Sequence, residues 1–216
     1  MLLFAHAGIT LGAGILLDKL LIGSEPFSSR LIYQAKSPNK LGNYSAHDCP
    51  SANRISLFTS VKNRLDYRFL LVGSLLPDLI DKPVGNILFY STFQNSRIFG
   101  HTLCFNVLLA ILGLYLYKSR EKTWLLVLSF GSALHLIQDE IWHDLETFFW
   151  PVYGLIFPRV DTTNFFGWLP EMFHELTTDV RVYVPELIGL AILGWFMIRL
   201  IQEKRVYAFI TKGVAF

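Results

Sequence analysis

His135, Asp139 and His143 stand four residues apart at the end of a long apolar run, with Gln138 and Glu140 among them. On a helix each step of four residues turns by about 40°, so the three share one face. Imidazole and carboxylate at that spacing can chelate one divalent ion, and this donor set suits Zn²⁺ or Mn²⁺. The same spacing would serve a polar face lining a helix bundle, or an aspartate orienting a histidine. Asp78 and Asp81 follow Pro77 three residues apart. Like charges one turn apart repel unless a cation stands between them, although a Pro-Asp turn can also simply end a helix. His101 closes the stretch Arg97-Ile98-Phe99-Gly100-His101, where Gly100 permits an unusual backbone. Arg97 could grip a phosphate oxygen bidentately or pair with an aspartate of the same cluster. His6 sits alone in an apolar segment. Glu171, His174 and Glu175 could add ligands or a base, but their spacing reads first as a solvated helical face. His47 lies in a polar stretch apart from the others. The candidate ligands are therefore His6, Asp78, Asp81, His101, His135 and Asp139. Asp81, His143 and Arg97 are the candidate catalytic groups.

The elements that must position these residues are long apolar runs. The 216 residues are 52% hydrophobic and 17% charged, with a mean hydropathy of +0.41. Soluble domains carry about 25% charged residues, so lipid is the expected solvent. Leu2 to Ile22 is long enough to span the ~30 Å hydrocarbon core. It lacks a basic n-region and is read as a retained helix, and its Gly8 and Gly12 suit close helix packing. Asp66 to Asp81 is a shorter run. Gly100 to Tyr117, Thr123 to about Trp142, and Tyr183 to Ile201 complete a set of about five membrane segments. The expectation is an all-α, multi-pass membrane helical bundle forming one domain over residues 1–216. Residues 23–65 form a polar loop or insertion, with an interfacial helix expected near Ile55 to Val61. Cys49 and Cys104 form no disulfide or zinc-ribbon pattern; Cys104 is read as a small core residue. A net charge of +2 gives no reason to expect nucleic acid as a partner. Trp142, Phe148, Phe149, Trp150 and Tyr153 fit an interfacial aromatic belt.

Cytoplasmic loops are enriched in Lys and Arg. With the N-terminus outside and five crossings, only Lys82, Arg97, Arg159 and Arg181 of the 19 basic residues fall outside. That bias predicts an N-out, C-in protein of the cell (inner) membrane. The same topology brings the outer ends of four segments, carrying His6, Asp78 with Asp81, His101, and His135 with Asp139 and His143, to one extracytoplasmic face.

Taken in order, His6, LLPDLID (75–81), RIFGHTL (97–103), GSALHLIQD (131–139) and FFWP (148–151) resemble the YdjM-like family of membrane proteins, predicted metal-dependent hydrolases. That family is in turn similar, in helical plan and His/Asp ligands, to the zinc-dependent phospholipase C and nuclease superfamily. Here Ser96 stands where the family often has histidine, and Gly100-His101-Thr102 replaces its usual Thr-His-Ser. The resemblance implies His6, Asp78, Asp81, His101, His135 and Asp139 as ligands or catalytic groups. It also implies a membrane-bound metal-dependent hydrolase with a divalent cofactor, Zn²⁺ first and Mn²⁺ second. A phosphoester such as a lipid head group is the favoured substrate, which makes membrane lipid the expected partner. The reading from a different class is a divalent-metal transporter or a non-catalytic metal-binding membrane protein. Transporters, however, usually hold ions near the midplane with broken helices or repeats, whereas here the candidates sit toward one end and no repeat is visible.

Overall fold

The computed structural model describes residues 3–23, 65–159 and 173–215; for residues 21–23 it describes the backbone alone. The interfacial helix expected near 55–61, Cys49, His47 and Glu171 lie outside these residues. The described residues are helical, with no strand among them. Six helices carry the argument: α1 Leu3–Gly23, α2 Tyr67–Pro83, α3 Leu103–Arg120, α4 Trp124–Gln138, α5 Val180–Gln202 and α6 Val206–Lys212. Short turns link them, including a wide π turn at Val84–Leu88 and one-turn helices at Tyr90–Phe93 and Leu145–Phe148.

The long helices pack as a row in the order α5, α1, α2, α4, α3. α1 with α2 and α3 with α4 run antiparallel, whereas α5 with α1 and α2 with α4 run parallel. The start of α1 meets the first turns of α5 through the Phe4 amide, which donates to the Glu186 carboxylate at 3.0 Å. At the far end of α1, Asp18 accepts a 3.3 Å hydrogen bond from the Tyr67 hydroxyl at the start of α2. In lipid, helices associate through close packing and polar contacts rather than through the expulsion of water. Small residues supply that closeness here. A side chain at Gly8 would overlap the backbone of Gly189, and one at Gly189 would overlap the backbone of Phe4 and Ala5. A Cβ at Gly131 of α4 would come within 2.6 Å of the Leu70 carbonyl of α2.

Among the described residues, three helices are long and apolar enough to cross a membrane: Leu3–Leu20, Leu103–Arg120 and Val180–Gln202. Two of the expected segments are shorter. α2 has 17 residues and ends in Asp78, Asp81 and Pro83. α4 is apolar but stops after 15 residues at Gln138, before the expected limit near Trp142. Both short helices lie inside the row, and both bring polar residues to the same end of it. Outward faces remain apolar: Leu108, Ile111 and Leu112 of α3 and Leu187, Ile188 and Ile198 of α5 are exposed, as lipid-facing positions should be.

The two ends of the bundle differ in chemistry. Where α1 and α5 finish and α2 begins, Leu11, Ile15, Tyr67, Leu70, Val127, Phe196 and Leu200 form an apolar core. α6 is tied beneath it: the Tyr67 amide donates to the Gly213 carbonyl at 3.0 Å, and Arg68 donates to the Ile210 carbonyl at 2.6 Å. The opposite end holds the histidines and aspartates.

Candidate metal centre

Asp81 organises the polar end. Its side chain has no exposure, and a buried carboxylate must be met by donors. The chain supplies them by folding residues 94–102 back over the end of α2. The amides of Ile98, Gly100 and His101 donate to its two oxygens at 2.8, 2.8 and 3.1 Å. The His101 Nδ1 lies 2.7 Å from Oδ2. Gly100 makes that wrap possible, since a Cβ there would stand 3.0 Å from Pro77 and 3.2 Å from Asp81. Phe99 packs edge-on against Trp150 at 5.4 Å, and Trp150 stacks on Phe157 at 5.3 Å. The FFWP motif thus braces the loop that carries His101.

His135 is fixed in the same way. Its Nδ1 lies 2.6 Å from the Ser74 carbonyl oxygen of α2. A carbonyl can only accept, so Nδ1 carries the hydrogen; Nδ1 of His101 donates to a carboxylate already accepting three amides. In both neutral rings Nε2 is then left as a lone pair. The two Nε2 atoms face one another at 3.3 Å, and both histidines are fully buried. Two facing lone pairs repel, and a cation or a proton between them would relieve that repulsion. Carboxylate oxygens complete the ring. Asp78 Oδ1 is 3.7 Å from His101 Nε2 and 3.9 Å from His135 Nε2. Asp139 Oδ2 is 3.6 and 3.9 Å from the same two atoms.

His6 enters from α1. Its ring stacks on that of His135 with centroids 4.0 Å apart, and its Nε2 lies 3.2 Å from Asp139 Oδ1. Neither of its buried nitrogens completes an aligned hydrogen bond, which leaves a buried imidazole offering an unspent lone pair. Two triads, His6–Asp78–His135 and His101–His135–Asp139, each place one ligand atom per residue within 4.8 Å of the others and could hold a metal ion. Cations border the cluster: Arg97 reaches Asp139 Oδ2 at 3.0 Å, and Lys82 reaches Asp78 Oδ2 at 2.7 Å. Asp78 and Arg97 keep 18% and 40% exposure, so access is from their side.

A sequence model of the family described as "YdjM inner membrane protein" matches residues 47–209. This chain belongs to that family. No curated protein and no solved structure matches it. The YdjM match spans Asp78, Asp81, Arg97, His101, His135 and Asp139 but not His6, which the fold alone brings to the cluster.

The expected three-residue face of α4 does not extend to His143. Glu140 adopts φ 49, a left-handed backbone that ends the helix, and His143 is 74% exposed beside Glu140. His174 and Glu175 are also exposed. Half-buried Cys104 joins neither triad. The sequence reading missed three residues. Ser74 acts through its main chain, which no side-chain pattern reveals. Lys82 was signalled by its place one helical turn after Asp78. Glu186, nearly buried in α5, had only its charge within an apolar span as a signal.

Proposed function

We propose that this inner-membrane protein is a metal-dependent hydrolase of phosphoesters, with a lipid head group as the favoured kind of substrate and the cluster at the extracytoplasmic face. The observation that carries the reading is the pair of Nε2 lone pairs 3.3 Å apart, ringed by two carboxylates and a third imidazole. A tetrahedral ion with bonds of ~2.0–2.1 Å has ligand-to-ligand edges of roughly 3.3–3.4 Å. The separations of 3.3 to 3.9 Å around His101 and His135 suit such an ion. His101, His135 and Asp139 would hold it, with His6 as a further ligand, and Asp78 would stay unliganded beside it. Nitrogen and oxygen donors without thiolate favour zinc, then manganese. When bound, the ion would supply Lewis acidity, bringing the pKa of water toward about 7.

The chain's own groups have distinct tasks. Asp81 is saturated by four donors, so it orients His101 rather than accepting a proton. Asp78, the more open carboxylate, would take the proton of the attacking water. Arg97 and Lys82 would offset the negative charge that develops on the phosphoryl oxygens. His143 stands outside this arrangement.

The first test is the metal content of the detergent-purified protein, wild type beside His135→Ala/Asp139→Ala. Near-stoichiometric zinc or manganese in the wild type, lost in the double variant, is the expected result. A wild type that stays metal-free after reconstitution with either ion overturns the reading, and leaves the cluster as a polar network joining the helices.

A further inference from the structure

A cavity of about 740 Å³ lies against the candidate metal centre. Its floor is Asp78 and Lys82, one turn apart on α2 and in contact with each other at 2.7 Å. Its walls are Phe4 of α1, Leu187 and Leu190 of α5, and Phe173. Those four side chains are 45 to 59% exposed, and two of the three helices long enough to cross a membrane supply three of them. The cavity is therefore open along faces that meet the apolar phase of a bilayer, while its floor is the accessible edge of the ligand cluster. One carboxylate in its wall, Glu186, is committed to the Phe4 amide.

We propose that this cavity is a tail subsite: it receives one acyl chain of a membrane phospholipid and so places the lipid's phosphoester at the Asp78 edge of the metal centre. The proposal rests on the reading of that centre as a phosphoester hydrolase. Three observations select this occupant. Apart from Thr177, Tyr183 and the engaged Glu186, the walls are hydrocarbon, and the size falls within the few hundred to about 1,000 Å³ of small-molecule sites. The open side belongs to membrane-crossing helices, so a lipid reaches it without leaving the bilayer. The polar floor combines an ammonium with the metal-capable carboxylate, the charges that a phosphoester head group and its metal would meet. Moving a chain from bilayer to cavity exchanges one apolar surrounding for another, so the subsite contributes orientation more than affinity.

Location is accordingly the quantity to measure. The full-length, zinc-loaded protein is reconstituted in liposomes of phosphatidylethanolamine and phosphatidylglycerol, a fraction of the latter bearing a photoreactive diazirine at the end of one acyl chain. After irradiation, adducts are mapped by mass spectrometry. Val107 of α3, 45% exposed, reports ordinary bilayer contact. The expected result is labelling at Leu187, Leu190 or Phe173 about tenfold above Val107, a preference of about 1.4 kcal/mol. Leu187→Trp and Leu190→Trp, which fill the cavity, should each bring labelling at the remaining wall positions down to the Val107 level with zinc content unchanged. Equal labelling at the cavity and at Val107 in the wild type overturns the subsite without recourse to any variant. Hydrolysis of the probe is followed in parallel. Enriched labelling with no hydrolysis keeps the subsite and removes the hydrolase reading, whereas hydrolysis with uniform labelling does the reverse.

Discussion

Asp81 and His101 set the chemistry of the cluster at the scale of single residues. The carboxylate fixes which nitrogen of His101 carries its hydrogen, and thereby which nitrogen faces His135. Asp81→Asn keeps the shape but replaces an acceptor with an amide. Metal affinity should fall by about 10- to 100-fold, the usual cost of losing such a supporting partner. Competition with a chelating dye reads this directly; unchanged affinity would show that His101 needs no such support. His143→Ala, remote from the ring of donors, should leave metal affinity where it was. The contrast shows what spacing alone conveys. Residue types and positions marked out His6, Asp78, Asp81, His101, His135 and Asp139, and the fold brings all six to one end. The division of labour was hidden, because Asp81's partners lie 17 to 20 residues further along the chain. His143 was misplaced because equal spacing shares a face only while the helix continues, and Glu140 ends it.

The helices themselves were legible from hydropathy, and their ends much less so. α2 and α4 stop short because their last turns carry charge, proline or a left-handed residue, and those same turns form the site. Tertiary contacts between helices were visible only as small residues. Gly8 and Gly12 both face α5, where Gly8 meets the backbone of Gly189 and Gly12 the side chain of Ile192. Gly8→Val would force α1 away from α5 two residues from His6. Overpacking of this kind costs typically ~1–3 kcal/mol. The variant should therefore lose helicity at lower denaturant and bind metal less tightly, since His6 moves with α1. Gly194→Ala, with nothing within 4 Å of the added carbon, should match the wild type in a denaturant titration followed by circular dichroism. Equal stability of the two variants would mean that the α1–α5 contact does not hold the bundle together.

At the scale of the whole molecule the question is which side of the membrane the cluster faces. Alternating helix directions gather the start of α1, the end of α2, the start of α3 and the end of α4 at one end. The turn 121–123 between α3 and α4 lies at the other. Basic residues divide the same way. Lys118, Arg120 and Lys122 flank that turn, and Arg199, Lys204, Arg205 and Lys212 follow the last span, whereas Arg97 and Lys82 at the cluster end are drawn into pairs with its aspartates. Lys and Arg accumulate on the cytoplasmic side, so the cluster should open to the extracytoplasmic face. Two exposed positions test this in a background where Cys49 and Cys104 are replaced by serine. Val152, 84% exposed just beyond α4, lies at the cluster end, and Ser119 lies beside the basic turn. A membrane-impermeant maleimide should label Val152→Cys in intact spheroplasts and Ser119→Cys only after lysis. The opposite pattern would put the cluster in the cytoplasm, where its substrate would have to come from the inner leaflet. Labelling of both positions in intact spheroplasts would mean that α4, the shorter apolar helix that separates them, fails to cross.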